Sequence, residues 1–252
     1  MLDGLVSDDP VTALTGTNLS KAQSAKDESL EIVNGQDVKP ANQIYKYAVL
    51  LTVVRNGKTT SCTAVPITHS ILLTAAHCVH GVNPSAVKVI FDSTQVNAQA
   101  MRVHAEFDGS PQSKADLALI KLRDQLAFGY KPMSLYDGLS ARDTDDLVML
   151  GFGITDEKKS DALTLRTTSK SYKNDVYIKD GLIGFNQKNK TGGFCRGDSG
   201  APIFVTSGKQ VKLIGINSFT VGTEPDRECH TASFAMYIPH FRSWILSQAM
   251  SL

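Results

Sequence analysis

From Ile32 onward the chain is written in short β-branched or apolar runs separated by turn residues. This rhythm limits the fold more than any other feature of the sequence. The runs are KYAVLLTVVRNGK (46–58), AVKVIFD (86–92), LALIKL (117–122), DLVMLGFG (146–153), APIFVTSGK (201–209) and VKLIGINSF (211–219). Many short strands at this spacing close into a sandwich or a barrel, because each must pair its edges and bury a face. Asn56-Gly57 and Ser207-Gly208 are suited to two-residue hairpin turns. A parallel α/β sheet needs helical crossovers, and helical patterns are scarce here. One helix is predicted over IPHFRSWILSQA (238–249), with Pro239 in its first turn, where the missing N–H costs nothing. Pro and Gly interrupt the strands at GYKPMSLYDG (129–138), which marks a join between two β halves. No internal repeat is found.

The 252 residues suffice for one large all-β domain or two small lobes with a sizeable core. Residues 1–31 differ from the rest: they are rich in Ser, Asp, Thr, Lys and Ala, lack aromatic residues, and bury little. A net charge of +1 gives no reason to expect nucleic acid or an anionic membrane as partner. No apolar run approaches the roughly 20 residues of a membrane-spanning helix. The opening MLDGLVSDDP lacks the basic-then-apolar layout of an export signal, so the chain is either intracellular or has had such a signal removed.

Cys62, Cys78, Cys195 and Cys229 form no C-x-x-C pair, and the histidines complete no zinc spacing, so no metal is expected. Four buried thiols are one reading. Two disulfides, and with them an oxidising compartment, suit an even number at wide spacing better. Spacing alone leaves three pairings open.

The stretch FCRGDSGAP (194–202) places Ser199 between an acid and a glycine. Such strings are ordinary turn vocabulary. They also suit a serine nucleophile, which is inert until a nearby base takes its proton. Among six histidines, His77 stands out in LLTAAHCVHG (72–81), where a strand-like run ends in small residues and Cys78 can anchor the backbone beside the imidazole. The base in turn needs an orienting carboxylate. Asp116 opens DLALIKL, at the mouth of an almost wholly apolar strand; it reads either as a strand-end turn residue or as a buried acid holding a histidine tautomer.

TAAHC, DLALIKL and CRGDSG, in the order His, Asp, Ser, resemble the chymotrypsin–trypsin serine proteases. IVNG (32–35), GFG (151–153), NSF (217–219) and FRSWI (241–245) extend the resemblance from Ile32 to the C-terminus. The α/β-hydrolases are a poor match. Their G-x-S-x-G elbow is broken by Ala201, their order is Ser, acid, His, and too little chain follows Ser199 to finish their sheet.

The resemblance implies an all-β fold of two six-stranded antiparallel Greek-key barrels with a C-terminal helix. It divides the chain into a propeptide (1–31) and a protease domain (32–252), with barrels over about 32–135 and 136–252. It makes Ser199 the nucleophile, His77 its base and Asp116 the orienting acid, with the N–H groups of Gly197 and Ser199 as oxyanion hole and Ser218 behind Asp116. It pairs Cys62 with Cys78 and Cys195 with Cys229. It implies no cofactor, a secreted or periplasmic monomer, protein or peptide substrates, an activating protease and protein inhibitors. A protease fold serving only as a binding module is the non-enzyme alternative. Asn18 and Asn189 open glycosylation sequons.

In this family the base of the primary pocket lies six residues before the nucleophile, which is Gly193. It carries no charge, so cleavage after Lys or Arg is expected to be poor. Phe194, Phe219 and Thr220 are expected near that pocket, Phe194 and Thr220 narrowing it, which favours an uncharged P1 of small or medium size. Arg196, with Arg227 and His230 in the long segment TVGTEPDREC (220–229), supports the competing idea of an acidic P1. Ala201 and Asn34 depart from the family's glycines. Finally, cutting between Glu31 and Ile32 would create an α-ammonium able to pair with Asp198 and order the oxyanion turn.

Overall fold

The computed structural model describes residues 35–92, 94–138, 146–156, 158–171, 175–188, 192–207, 210–222 and 229–252. Glu31, Ile32, both sequons and Arg227 lie outside the described residues. The first half holds β2 (Val49–Arg55), β3 (Lys58–Pro66), β4 (Ile71–Thr74), β5 (Val87–Phe91), β6 (Thr94–Val103) and β7 (Ala118–Leu122). They close a barrel in the order β2-β3-β4-β7-β6-β5, with every pair antiparallel. The predicted turn at Asn56-Gly57 joins β2 to β3; both residues have positive φ, 51° and 75°, as a hairpin that follows strand twist requires.

Strand alternation builds two cores at once. Leu72, Ala118 and Ile120 point into the barrel with Val49, Leu51 and Val53. Their neighbours Ile71, Leu73, Leu117 and Leu119 face outward into a core shared with Phe204, Leu213, Ile216 and Met236 of the second half. A strand buried on both faces reads as a continuous apolar run, which is why LALIKL showed no alternation.

The second half contains β1 (Gln36–Asp37), β8 (Ser134–Leu135), β9 (Asp146–Gly151), β10 (Arg166–Ser171), β11 (Val176–Lys179), β12 (Leu182–Asn186), β13 (Pro202–Ser207), β14 (Gln210–Val221) and β15 (Ala232–Tyr237). Its path is β1-β10-β9-β13-β14-β15-β12-β11, with β8 parallel to β14. The closed six-stranded barrel of the first half is as expected. The second half differs, forming a nine-stranded sheet. Two of its members, β1 and β8, are two-residue strands too short to leave a periodic signature.

The helix Ile238–Ser251 has Pro239 in its first turn and buries Ile238, Phe241 and Ile245. It reaches back to the first barrel. The His104 ring packs 4.6 Å from Trp244, and Arg102 Nη1 donates to Gln248 Oε1 at 2.7 Å. Among the described residues, no helix is long and apolar enough to cross a membrane.

Candidate active site

His77 lies on the short helix Ala76–Val79 that follows β4. A disulfide from Cys78 to Cys62 ties this helix to β3, and Arg55 Nη2 donates to the carbonyls of His77 at 3.3 Å and His80 at 2.9 Å. Asp116, just ahead of β7, is fully buried. A buried carboxylate must be matched by donors, and here three converge on it. The His77 backbone N–H donates to Oδ1 at 2.8 Å, His77 Nδ1 to Oδ2 at 2.7 Å, and Ser218 Oγ to Oδ2 at 2.5 Å. The carboxylate fixes the proton on Nδ1 and leaves Nε2 as the basic nitrogen. Ser218 reaches Asp116 because it is the extra residue where β14 slips against β15, between Asn217 and Phe219. A bulge of this kind re-aims a side chain.

Ser199 sits on the turn before β13, and residues of β3 and β14 pin that turn. The Thr63 N–H donates to Ser199 O at 2.8 Å, and its hydroxyl to Gly197 O at 3.3 Å. Asn217 Nδ2 donates to Asp198 O at 3.0 Å, and its carbonyl accepts from the Gly200 N–H at 2.8 Å. The N–H groups of Gly197 and Ser199 belong to the peptide units whose carbonyls, Arg196 O and Asp198 O, accept from Ile154 N–H at 2.9 Å and Asn217 Nδ2 at 3.0 Å. Among the described residues neither the Gly197 nor the Ser199 N–H donates to any acceptor. Gly197 and Gly200 both have positive φ, 95° and 81°, and a Cβ on Gly200 would lie 2.1 Å from the Thr63 carbonyl oxygen.

His77 and Ser199 open into one cleft of about 430 Å³, which Ser110, Pro111, Gln112, Arg196, Phe219 and Thr220 also line. The Cys78 sulfur lies 3.8 Å from His77 Nε2 and 3.8 Å from Ser199 O, so the disulfide packs against both partners. No hydrogen bond joins Ser199 Oγ to His77 Nε2 among the described residues; such contacts tighten when substrate binds. Both sulfurs of the Cys62–His77–Cys78 cluster are bonded to each other and offer no thiolate to a metal.

The Trypsin family matches residues 32–245. The chain belongs to the trypsin family of serine proteases. It is 26% identical to a chymotrypsin of Phaedon cochleariae over 244 residues, covering 88% of this chain and 86% of that one. It is 22% identical to CLIP domain-containing serine protease C9 of Anopheles gambiae, covering 86% and 68% of the two chains. It is 23% identical to phenoloxidase-activating enzyme 1 of Spodoptera litura, covering 81% and 64%.

The rest of this trypsin-family site departs in places from what the sequence led one to expect. Phe194 does not narrow the cleft. It is fully buried in a core cluster with Met149, Ile183, Phe185 and Ile203. Gly193 is buried and is not among the described residues that line the cleft. Cys195 is bonded to Cys229. His230 lies 3.8 Å from Asp156.

Asp198 is fully buried beneath the nucleophile turn. Its Oδ1 accepts from Gly153 N–H at 2.7 Å and its Oδ2 from Cys195 N–H at 2.9 Å. Burial pushes its carboxyl up to about 7 from the ordinary 3.8, against the opposing pull of those two N–H groups and of Arg166. Arg166, nearly buried on β10, donates to the Gly153 carbonyl at 3.0 Å and faces Asp37 at 3.2 Å and Asp161 at 3.6 Å.

Sequence reasoning missed Thr63, Asn217, Arg166 and the Ser110–Gln112 wall. Thr63 sits one residue after Cys62 and Asn217 within NSF, so adjacency to a motif was the only available signal.

Proposed function

We propose that this protein is a serine endopeptidase made as a zymogen. The carrying observation is that His77, held by Asp116 at 2.7 Å, shares a cleft with Ser199, and that the N–H groups of Gly197 and Ser199 donate to no acceptor among the described residues. His77 Nε2 takes the Ser199 proton as Oγ attacks a peptide carbonyl. The tetrahedral oxyanion is met by the N–H groups of Gly197 and Ser199, each such donor worth about 3–4 kcal/mol in the transition state. The C–N bond then breaks as His77 returns the proton to the leaving amine. Water repeats the sequence on the acyl-enzyme and frees Ser199.

Activation is by cleavage between Glu31 and Ile32, whose new ammonium pairs with Asp198. Two disulfides fit a secreted or periplasmic setting, with protein substrates, an activating protease and inhibitors as partners. The primary pocket takes an uncharged P1. A second reading, an acidic P1, is favoured by exposed Arg196 on the cleft wall. The phenoloxidase-activating relative supports a role in activating another enzyme.

The test is labelling of Ser199 by a small fluorophosphonate, with peptide hydrolysis followed in parallel. Ser199→Ala should lose both while unfolding at nearly the same temperature, since a turn hydroxyl contributes little to stability. A parent chain, cut at Glu31, that neither labels nor cleaves would leave the binding-module reading in its place.

A further inference from the structure

We infer that Arg166 is a positioning residue of the oxyanion hole, acting on the Gly197 N–H through two aligned peptide groups. The inference rests on the protease reading above, in which that N–H meets the oxyanion. Arg166 Nη1 donates to the Gly153 carbonyl at 3.0 Å. That carbonyl shares its peptide group with the Ile154 N–H, which donates to the Arg196 carbonyl at 2.9 Å. The Arg196 carbonyl in turn shares its peptide group with the Gly197 N–H. In a trans peptide the C=O and N–H point in opposite directions. The two groups therefore stand head to tail, with a guanidinium at one end and the Gly197 donor at the other.

This order strengthens the last donor. A hydrogen bond to a carbonyl oxygen draws electron density from the N–H of the same peptide group, and bonds in a row polarise one another. Here the row begins at a charge, and hydrogen bonds from charged groups are the stronger class. The Ser199 N–H, by contrast, is backed by the neutral amide of Asn217, which donates to Asp198 O at 3.0 Å.

The setting keeps the charge in place. Arg166 is buried, and its backbone pairs with Asp37 of β1 on one side and Gly151 of β9 on the other. A buried charge needs partners. Arg166 Nε faces Asp37 Oδ1 at 3.2 Å, and Nη2 faces Asp161 Oδ2 at 3.6 Å. The same Asp161 oxygen accepts from Thr155 Oγ at 2.6 Å, and Asp161 Oδ1 accepts from the Thr155 N–H at 3.0 Å. This acid thus ties the guanidinium to the segment that carries the first peptide group. The two segments meet backbone to backbone. A Cβ on Gly153 would lie 2.7 Å from the Arg196 carbonyl oxygen, and one on Gly197 would lie 2.9 Å from Gly153 Cα. Glycine at both places lets the peptide groups approach.

The test uses the chain starting at Ile32, its active sites counted with a small fluorophosphonate. The substrate is the peptide p-nitroanilide that the parent cleaves best in a series varied at P1. Arg166→Met removes the charge and the donor but keeps an apolar stem. Its kcat per labelled site should fall roughly three- to tenfold, a fraction of what loss of a whole oxyanion donor costs, with KM little changed. Arg166→Lys keeps the charge and should recover most of that loss. The second readout is the adduct of a chloromethyl ketone of the same peptide, isotopically labelled at the ketone carbon. Ser199 Oγ adds to that carbon, and His77 Nε2 displaces the chloride. The pKa of the resulting hydroxyl, followed by NMR, should rise in Arg166→Met and stay near the parent's in Arg166→Lys. An arginine with a merely structural role would lower the unfolding midpoint and leave that pKa where it was. If Arg166→Met does not fold, Arg166→Gln, uncharged but polar, should move kcat and the hydroxyl pKa the same way. An unchanged kcat or hydroxyl pKa in the folded neutral variant, or a loss that Arg166→Lys shares in full, overturns the role of Arg166 and leaves the protease reading standing. A parent that neither labels nor cleaves overturns the protease reading, and this inference with it.

Discussion

Ser218 Oγ lies 2.5 Å from Asp116 Oδ2 across 102 residues of sequence, with the Pro111 carbonyl 2.7 Å from the same hydroxyl. One residue of the second half thus holds both the acid that orients His77 and a wall of the cleft. The bulge at Ser218 makes this possible, since regular pairing would aim residue 218 to the other face. Ser218→Ala should remove one of three donors to a buried carboxylate. A hydrogen bond to a charged group is worth about 1.5–3 kcal/mol. Stability in denaturant should fall by about that amount, and kcat should drop with little change in KM. An unaltered kcat would show that His77 alone keeps Asp116 in place.

Thr63 carries the second interface contact. Its hydroxyl accepts from Phe152 N–H at 3.3 Å and donates to Gly197 O at 3.3 Å. Thr63→Val keeps the shape and leaves both groups unpaired in a buried site. The expected cost is about 1–3 kcal/mol in stability. Because Gly197 then loses its restraint, kcat should fall more than tenfold while Ser199→Ala stays at background. Equal loss of stability without any loss of kcat would place Thr63 outside the oxyanion machinery.

Much of the fold was legible because local chemistry dictates it. Asn56-Gly57 forms a turn, the apolar runs form strands, and Pro239 starts a helix. The triad candidates were legible because each stands in a distinctive neighbourhood. What escaped was everything decided by pairing across the chain. β1 and β8 are too short to announce themselves. The direction of Phe194 depends on a loop, where no period tells inside from outside, and it turned into the core rather than the cleft. Gln187, a polar residue in a polar stretch, gave no sign that its amide would bind three backbone atoms.

The Cys195–Cys229 bond closes a 34-residue separation and Cys62–Cys78 a 16-residue one. Chain entropy alone assigns about 4 and about 3 kcal/mol to these loops. Replacing both Cys195 and Cys229 by Ser should therefore cost more in stability than replacing the other pair. The functional order should be reversed, because the Cys78 sulfur touches His77 and Ser199 O. Unfolding midpoints and kcat for the two double variants decide this. Matching orders in both measurements would remove the disulfide from the positioning of His77.

The last prediction concerns pH and Asp198. In the folded chain burial raises this carboxyl to about 7, whereas exposed it titrates near 3.8. Below both values the folded and unfolded states bind the same proton. As pH rises between them, only the folded state still holds it, so this group makes stability fall with rising pH. The full effect, reached above pH 7, is on the order of 4 kcal/mol. Asn at this position does not titrate. The uncut chain should thus lose stability relative to Asp198→Asn between about pH 4 and 7, measured by denaturant unfolding at each pH. An ammonium on Ile32 would change the sign of the environment. Paired with it, the carboxylate is favoured, its pKa drops, and the loss across that window should shrink in a chain starting at Ile32. Pairing also raises the pKa of the amine, so activity should hold while the amine is protonated and fall as pH climbs through that raised value. Identical pH slopes in the cut and uncut chains, or full activity in Asp198→Asn, would separate Asp198 from activation and leave it a buried acid held by Gly153, Cys195 and Arg166.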